Sequence, residues 1–294
     1  PFQPDFSTAS PCEHLLDTET DTPEISTNLT PEATSSSNTP INGDTSTATS
    51  TVLAPSTPTH SLLPTQTQTS VTPPTAAPIV ANAFFVSPYG SNENPGTEAQ
   101  PWKTMQYAAA RLQSGQTLYV REGIYYESVT FSQSGTFDNP IRVMAYPGEQ
   151  PVLDGDNFRL PVQYWGALLT ISGNYVNVSG IEVRYSNWMG VLISGSHSKV
   201  AFINSHHHQE QGIFISGDSD TAENNLVWMN CLSNENGSRT RGSWGNGLSA
   251  GRHPNGAVIR ENIVFNNWGE GISTFEANGT VIEDNIVYDN WSTN

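Results

Sequence analysis

The sequence contains few basic residues, and they are unevenly placed. Of its 294 residues only 11 are Lys or Arg, against 28 Asp or Glu, which gives a formal net charge of −17. No Lys or Arg occurs in the first 82 residues, and Lys103 and Lys199 are the only lysines. Proteins that bind nucleic acid or anionic membranes neutralise phosphates with clustered Lys and Arg. The composition therefore argues against a nucleic-acid partner.

Long apolar segments and cysteines are also scarce. No apolar run approaches the roughly 18 residues that a transmembrane helix needs, so no membrane insertion is expected. The two cysteines, Cys12 and Cys231, follow no metal-binding spacing. Whether the two form a disulfide is left open by the sequence. Cys231 is expected to face a core.

Ser, Thr and Pro dominate residues 1–82, as in the segment 45–51, which contains only Thr, Ser and Ala. Such a segment has too little apolar surface to offset a backbone entropy cost of roughly 1–2 kcal/mol per residue. We therefore predict a disordered linker or stalk over residues 1–82 of a secreted, extracellular or cell-surface protein. A low-complexity tail without a spacer role is the alternative.

The sequence changes character at Phe84. Phe84–Val86 reads as a strand, and a loop rich in Gly, Asn and Pro follows it. Apolar residues at helical spacing then predict a helix over Trp102–Leu112 that ends at Gly115. Further short strands are predicted at Thr117–Val120, Ser128–Phe131, Ile141–Ala145 and Val152–Leu153.

From residue 167 onward the sequence repeats itself. The element that begins at Gly190 recurs at Gly212, Gly247 and Gly271, and a second element ends at Asn204, Asn230, Asn262 and Asn285. A unit of 22–26 residues that holds two or three short strands fits one coil of a parallel β-solenoid. Stacked asparagines at tight turns can bond to backbone and to one another. We interpret the asparagine column as such a ladder rather than a catalytic site.

Several motifs resemble the pectate-lyase-like β-helix superfamily. They are the opening segment Phe84–Thr97 with Pro101-Trp102, the segment Gly123–Glu127, and the segment Tyr146–Gly155. The likeness covers about residues 83–294 and is greatest to family 9 pectate lyases, chondroitinase B-like lyases and uncharacterised β-helix repeat proteins. It implies an all-β, right-handed parallel β-helix with an N-terminal capping helix, here incomplete at its C-terminus.

The resemblance also implies a polysaccharide substrate that lies along the solenoid. A lyase of this kind needs a base beside a uronate carboxylate and a cation, usually Ca²⁺, to neutralise that carboxylate. Family 9 lyases carry a calcium-binding aspartate in the segment that resembles Trp244–Leu248, where this chain has Asn246. Their base is a lysine, and no lysine follows Lys199 here.

Aligning the coils by their Asn and Gly residues gives three polar columns. These columns are His208, Asn234, Asn266 and Asp289; Gln209, Glu235, Asn267 and Asn290; and Gln211, Asn246 and Glu270. We predict that Trp268, Trp291, Asn246 and Asn266 bind substrate and that Asp289, Glu235 and Asn234 bind the cation. Solvated, hydrogen-bonded turns are the alternative interpretation.

The catalytic candidates are charged groups near those columns. Glu270 is the best single carboxylate, and Glu235, Glu270 and Asp289 could alternatively supply a glycosidase acid/base pair. Arg252, His253 and Arg241 could act as base or uronate clamp, or could be ordinary loop charges. His206, His207 and His208 are expected to be exposed turn residues rather than a metal site, because consecutive side chains point in different directions.

The sequence therefore predicts an extracellular, monomeric polysaccharide lyase or glycoside hydrolase that binds an acidic glycan. A non-catalytic glycan-binding or cell-surface β-solenoid is the competing hypothesis.

Overall fold

The computed structural model describes residues 82–237 and 245–290. Apart from Asn82, the predicted linker of residues 1–82 lies outside the described residues. Cys12, Arg241 and Trp291 lie outside them as well, and the roles predicted for these residues stay predictions.

The described chain consists of short strands, one short α-helix and one 3₁₀ helix. The α-helix is α1, Met105–Ala109, and the 3₁₀ helix is Leu232–Gly237. The strands in chain order are β1 Ala83–Val86, β2 Thr117–Val120, β3 Gly123–Tyr125, β4 Val129–Phe131, β5 Ile141–Ala145, β6 Pro151–Asp154, β7 Ala167–Ile171, β8 Val176–Ser179, β9 Glu182–Arg184, β10 Met189–Ile193, β11 Lys199–Ala201, β12 Asn204–His206, β13 Ile213–Ile215, β14 Thr221–Glu223, β15 Leu226–Trp228, β16 Asn246–Gly251, β17 Val258–Arg260, β18 Ile263–Phe265, β19 Glu270–Phe275, β20 Val281–Glu283 and β21 Ile286–Tyr288.

The strands form three parallel sheets that wind into a β-helix. Sheet A has the order β1-β2-β5-β8-β11-β14-β17-β20, sheet B the order β3-β6-β9-β12-β15-β18-β21, and sheet C the order β4-β7-β10-β13-β16-β19. From β7 onward the chain visits C, A and B in turn, so each coil adds one strand to every sheet. The predicted all-β parallel solenoid is therefore confirmed, and all five early strands occur where they were expected.

Alternation along each strand directs apolar residues inward. In β8, Val176 and Val178 are buried while Asn177 and Ser179 point outward. Parallel register stacks Val178 on Val200, and further coils continue that column. Burying a Val, Leu or Ile side chain contributes about 1.5–3 kcal/mol. One coil cannot cover its own inward residues, so the coils depend on stacking.

The predicted helix is shorter than the sequence suggested. Trp102 forms a parallel bridge with Val86, and the helix begins only after Thr104, whose side chain accepts a bond from the Tyr107 backbone N–H. The helix buries Met105, Ala108 and Ala109 against the first coils, as expected for a capping helix. No helix in the described ranges has the length and apolar character needed to cross a membrane.

Two asparagine ladders run along the coils, in registers that the sequence alignment did not give. One contains Asn225, Asn262 and Asn285, joined by side-chain bonds of 2.9 Å, and the other contains Asn230, Asn267 and Asn290. Placing Asn204 and Asn230 in one ladder with Asn262 was wrong. Asn204 lies in β12 and accepts a bond from the Trp228 indole. The long connection before β16 lengthens the repeat from 22 to 37 residues. The sequence alignment assigned these extra residues to the wrong positions of the coil.

The repeated glycines leave space for the side chains of the second ladder. A Cβ on Gly212 would lie 2.6 Å from the Asn230 side-chain nitrogen and 2.6 Å from a Val227 methyl group. Gly190, Gly247 and Gly271 make equally close approaches to His208, Asn267 and Asn290. The repeated glycines thus mark where each coil passes the ladder.

Candidate functional site

The outward face of sheet C carries the polar column that the sequence predicted. Asn246 pairs in register with Glu270, and Gln211 occupies the same position one coil earlier. Each of these residues precedes an inward-facing glycine, so each lies on the outer face at or just before the start of a sheet C strand. Glu270 is exposed, whereas Asn246 and Gln211 are buried. A carboxylate and two amides therefore stand in one line across three coils.

An aromatic cluster covers the same face on the earlier coils. Ala167, Met189 and Phe214 are buried there against Trp165, Trp188 and Leu192. The rings of Trp165 and Trp188 lie 6.2 Å apart at 76°, and Tyr164 packs on both of them with most of its surface exposed. The Trp188 indole nitrogen is buried and has no hydrogen-bond partner among the described residues. Aromatic rings with a polar edge are well suited to holding a partly polar ligand.

Sequence analysis did not identify this aromatic cluster. A signal was nevertheless present, because Trp165 and Trp188 come one or two residues before a sheet C strand, as Trp268 comes before Glu270. Residues at the same position of successive coils lie on one surface, so the three tryptophans occupy equivalent positions of the repeat. The alignment began its polar columns at His208 and so did not compare these earlier coils.

Arg252 reaches the aromatic cluster from the opposite edge of sheet C. Its guanidinium carbon lies 3.7 Å from the centroid of the Trp165 ring. Arg252 and His253 both have φ near +67°, a left-handed conformation that costs non-glycine residues about 1–2 kcal/mol each. This unfavourable turn directs Arg252 across the sheet. The exposed His253 imidazole instead lies 3.5 Å from Glu276, on the neighbouring coil.

The catalytic candidates do not meet at one point. Glu270 begins β19, whereas Arg252 follows the end of β16, so their backbones lie at opposite edges of sheet C. The Arg252 guanidinium itself lies against Trp165, just before β7, which is four strands from β19 in sheet C, or roughly 19 Å at 4.8 Å per coil. A ligand that touches both Glu270 and Arg252 must therefore extend along the coils, as a chain of several sugar rings would.

A buried carboxyl group lies in the turn that leads into the polar column. Glu210 precedes Gln211, is 7% exposed, and accepts a bond of 2.9 Å from the Ser233 hydroxyl. Burial raises the pKa of Glu210 to about 7, although the Ser233 bond opposes the shift. Burial, and then the charges of Glu210 and Glu270, raise the pKa of the neighbouring Cys231 thiol. Sequence analysis overlooked Glu210, because its burial cannot be read from a polar turn.

The residues predicted to bind a cation are dispersed. Asn234 is buried in the 3₁₀ helix, where its side-chain nitrogen donates to the Trp268 carbonyl oxygen. Glu235 belongs to the same helix. Asp289 is exposed after β21, one coil beyond the half-buried Asn266. No group of three or more acidic, His or Cys side chains within the described ranges could share a metal ion. The cation site predicted from the sequence stays a prediction, and no chemical step is assigned to it.

The three consecutive histidines have different surroundings, and the expectation that all are exposed was wrong. His206 is buried on sheet B and stacks on Trp228 at 4.6 Å, and His207 is half-buried with its Nδ1 2.7 Å from that of His206. His208 is fully buried, and its Nδ1 accepts a bond from the Ser186 backbone N–H. Burial lowers the pKa of His208 well below its ordinary value. It occupies the ladder position one coil before Asn230.

The chain is similar in sequence to several bacterial proteins. It is 29% identical over 147 residues to the Bacillus subtilis protein YwoF, which covers 47% of this chain and 31% of YwoF. It is 29% identical over 185 residues to pectate lyase L of Paenibacillus polymyxa, which covers 58% of this chain and 40% of that enzyme. The matched segments thus span less than half the length of these relatives.

Its fold matches that of a solved pectate lyase. The crystal structure of pectate lyase Pel9A superposes with a TM-score of 0.62 at 23% identity, covering 71% of this chain and 54% of that one. The profile of the family described as "Pel9A-like, right handed beta helix region" matches residues 84–294. The parallel coils are accordingly right-handed, and the chain belongs to the Pel9A-like right-handed β-helix family.

Proposed function

We propose that this protein acts on an acidic polysaccharide that lies across the outward face of sheet C. The observation that carries the proposal is the position of Arg252 over Trp165, on the face that also holds Gln211, Asn246 and Glu270. Several relatives bear the name pectate lyase, which supports a uronate-containing substrate.

Each part of the face has a role in this proposal. Arginine binds carboxylates through two parallel N–H donors and stays charged at any physiological pH. Arg252 would hold a sugar carboxylate while Trp165 and Tyr164 contact the apolar faces of the sugar rings. The Trp188 indole N–H would donate to a sugar hydroxyl, which gives that buried donor a partner. The Gln211 and Asn246 side chains would bind hydroxyl groups of sugars farther along the chain.

The reaction we propose is cleavage of the polysaccharide, by elimination or by hydrolysis. Glu270 is the exposed carboxylate on the groove and the group we assign to proton transfer with the substrate. Glu210 lies behind the groove and would exchange its proton near neutral pH, because burial raises its pKa to about 7. Arg252 would bind the substrate rather than transfer a proton.

The activity can be tested by incubating the protein with polygalacturonate, alginate, chondroitin and a neutral glucan. Elimination creates an unsaturated sugar that absorbs ultraviolet light, whereas hydrolysis releases reducing ends without that absorbance. Arg252→Gln should raise KM, and Glu270→Gln should lower kcat while leaving binding unchanged. His253→Gln is the matched control, because this exposed side chain is paired with Glu276 outside the groove. Equal effects of all three substitutions would contradict the assignment.

A non-catalytic glycan-binding protein is the second candidate. Asn246 and the serine hydroxyls of Ser249 and Ser273 occupy the middle of the groove, and none of these is a strong base. Binding of polygalacturonate without any release of product would favour this function. Either role suits an extracellular, monomeric protein, which size-exclusion chromatography and secretion assays can test.

A further inference from the structure

A second surface with ligand-binding character lies on sheet A. A depression of about 260 Å³ opens on its outward face, around the strands β5, β8 and β11. Its edge is formed by Arg142, Asn177 and Lys199, which pair in register on three successive coils. This surface belongs to a different sheet from the groove on sheet C.

Two of the three edge residues carry side-chain donors for which the described residues supply no acceptor. Arg142 is exposed and has no ion-pair partner among the described residues, and the Asn177 side chain makes no hydrogen bond within them. Lys199 lies 2.9 Å from Glu223, but Arg260 also binds that carboxylate at 2.6 Å. Glu223 is thus neutralised twice, and the depression keeps an excess of positive charge in an acidic protein.

Apart from these edge residues and the Glu223 carboxylate, the depression is shallow and mostly apolar. Ser179 and Ala201 are small outward residues that form its floor, Met144 lies beside them, and the half-buried Phe202 contributes a ring at the corner between sheets A and B. An apolar floor beside two cations and an amide matches a sugar ring that carries one carboxylate. A bare inorganic anion would leave the apolar floor uncovered, and a neutral sugar would leave Arg142 without an anionic partner.

We propose that this depression is a second binding site for an acidic saccharide, with Arg142 and Lys199 holding a uronate carboxylate and Asn177 a neighbouring hydroxyl. The site shares the class of ligand with the proposed function but not the surface, so it adds a contact for a polysaccharide outside the groove. Charge-assisted bonds from Arg and Lys to a carboxylate are the strongest contacts it offers. Coils 4.8 Å apart bring the three donors within reach of one or two sugar units.

The experiment is a titration of the ¹⁵N-labelled chain with trigalacturonate, galactotriose and sodium sulfate. Trigalacturonate should shift the amide resonances of Asn177, Ser179 and Ala201, and galactotriose should not. Arg142→Gln should weaken binding at these resonances about tenfold, as expected for loss of a hydrogen bond to a charged group. Arg159→Gln is the matched control, because it removes an exposed arginine that pairs with Asp156 and is not part of the lining of the depression.

The outcomes separate this site from the groove on sheet C. Arg252→Gln should leave the sheet A shifts unchanged, whether or not the groove binds trigalacturonate. No shift on sheet A, or equal weakening by Arg142→Gln and Arg159→Gln, would overturn the proposal. Sulfate binding as tightly as trigalacturonate at these resonances would also overturn it, because it would show recognition of an anion without its sugar. Arg142 has no structural partner, so its substitution should leave the melting temperature unchanged.

Discussion

Replacing Asn267 with alanine should remove the central link of the second asparagine ladder. Its side-chain oxygen accepts bonds of 3.0 Å from both the backbone and the side-chain nitrogen of Asn230. Its side-chain nitrogen donates to the Asn290 side chain at 2.8 Å and to the backbone oxygens of Val227 and Phe265. Asn267 is fully buried, so water cannot replace these bonds.

The cost follows from the groups left without partners. The buried Asn230 backbone N–H would lose its acceptor, which costs about 1–3 kcal/mol, and the lost bonds to the Asn230 and Asn290 side chains add about 1 kcal/mol each, about 3–5 kcal/mol in all. We expect the free energy of unfolding to fall by about 3–5 kcal/mol. Asn204→Ala is the control, because Asn204 is half-buried and makes one side-chain bond, to the Trp228 indole at 2.9 Å. It should cost about 1 kcal/mol.

Urea denaturation followed by circular dichroism measures both variants. With a slope of about 2 kcal/mol per molar urea, Asn267→Ala should lower the midpoint by about 1.5–2.5 M and Asn204→Ala by about 0.5 M. Loss of similar stability from the two variants would refute the assigned register. It would restore the sequence-based alignment, in which Asn204 and Asn230 belong to one ladder.

Three further predictions concern other parts of the coil. Burial raises the pKa of Glu210 to about 7, so the folded protein binds this proton more tightly than the unfolded chain does. The free energy of unfolding should therefore fall as the pH rises from about 4.5 to 8. In Glu210→Gln the free energy of unfolding, obtained from melting curves over this pH range, should fall by about 3 kcal/mol less than in the unsubstituted protein. An unchanged pH profile would contradict the assignment. Glu127→Ala should cost about 2 kcal/mol in urea denaturation, because its carboxylate accepts bonds from the Met105 and Gln106 backbone N–H groups; a neutral result would exclude that cap. Gly212→Ala should cost at least 2 kcal/mol by the same assay through its contact with Asn230, whereas Gly148→Ala, with φ of +81° and open space around it, should cost about 1 kcal/mol.

The repeated glycines and alternating apolar residues were sufficient to predict the coil. Gly190, Gly212, Gly247 and Gly271 recur because each passes close to an interior side chain, so their spacing records a physical constraint. The alternating valines and isoleucines likewise indicate which side chains face the core. Strand positions could therefore be predicted even in the irregular first coils.

Register across the long connection could not be predicted. Residues 229–245 lengthen one coil, and nothing in their composition indicates which asparagine continues the ladder. The column of Gln211, Asn246 and Glu270 was predicted correctly because a glycine follows each member. The column that placed Asn234 beside Asn266 lacked such an anchor and was wrong, since Asn266 follows Met229 in register.

The aromatic part of the site depends on contacts between distant coils. Arg252 and Trp165 are separated by 87 positions in the chain and meet only because their turns approach across sheet C. Their contact depends on the left-handed turn at Arg252 and His253, a conformation that these residue types rarely adopt. Sequence identified Arg252 as a candidate clamp, but it gave no partner for it.

A crystal structure of the protein with hexagalacturonate tests the central claim most directly. We expect the oligosaccharide to cross the coils on the outward face of sheet C, with one carboxylate within about 3 Å of the Arg252 guanidinium and a sugar ring against Trp165. An oligosaccharide that binds elsewhere and leaves the face of Trp165, Trp188 and Arg252 empty would contradict the account.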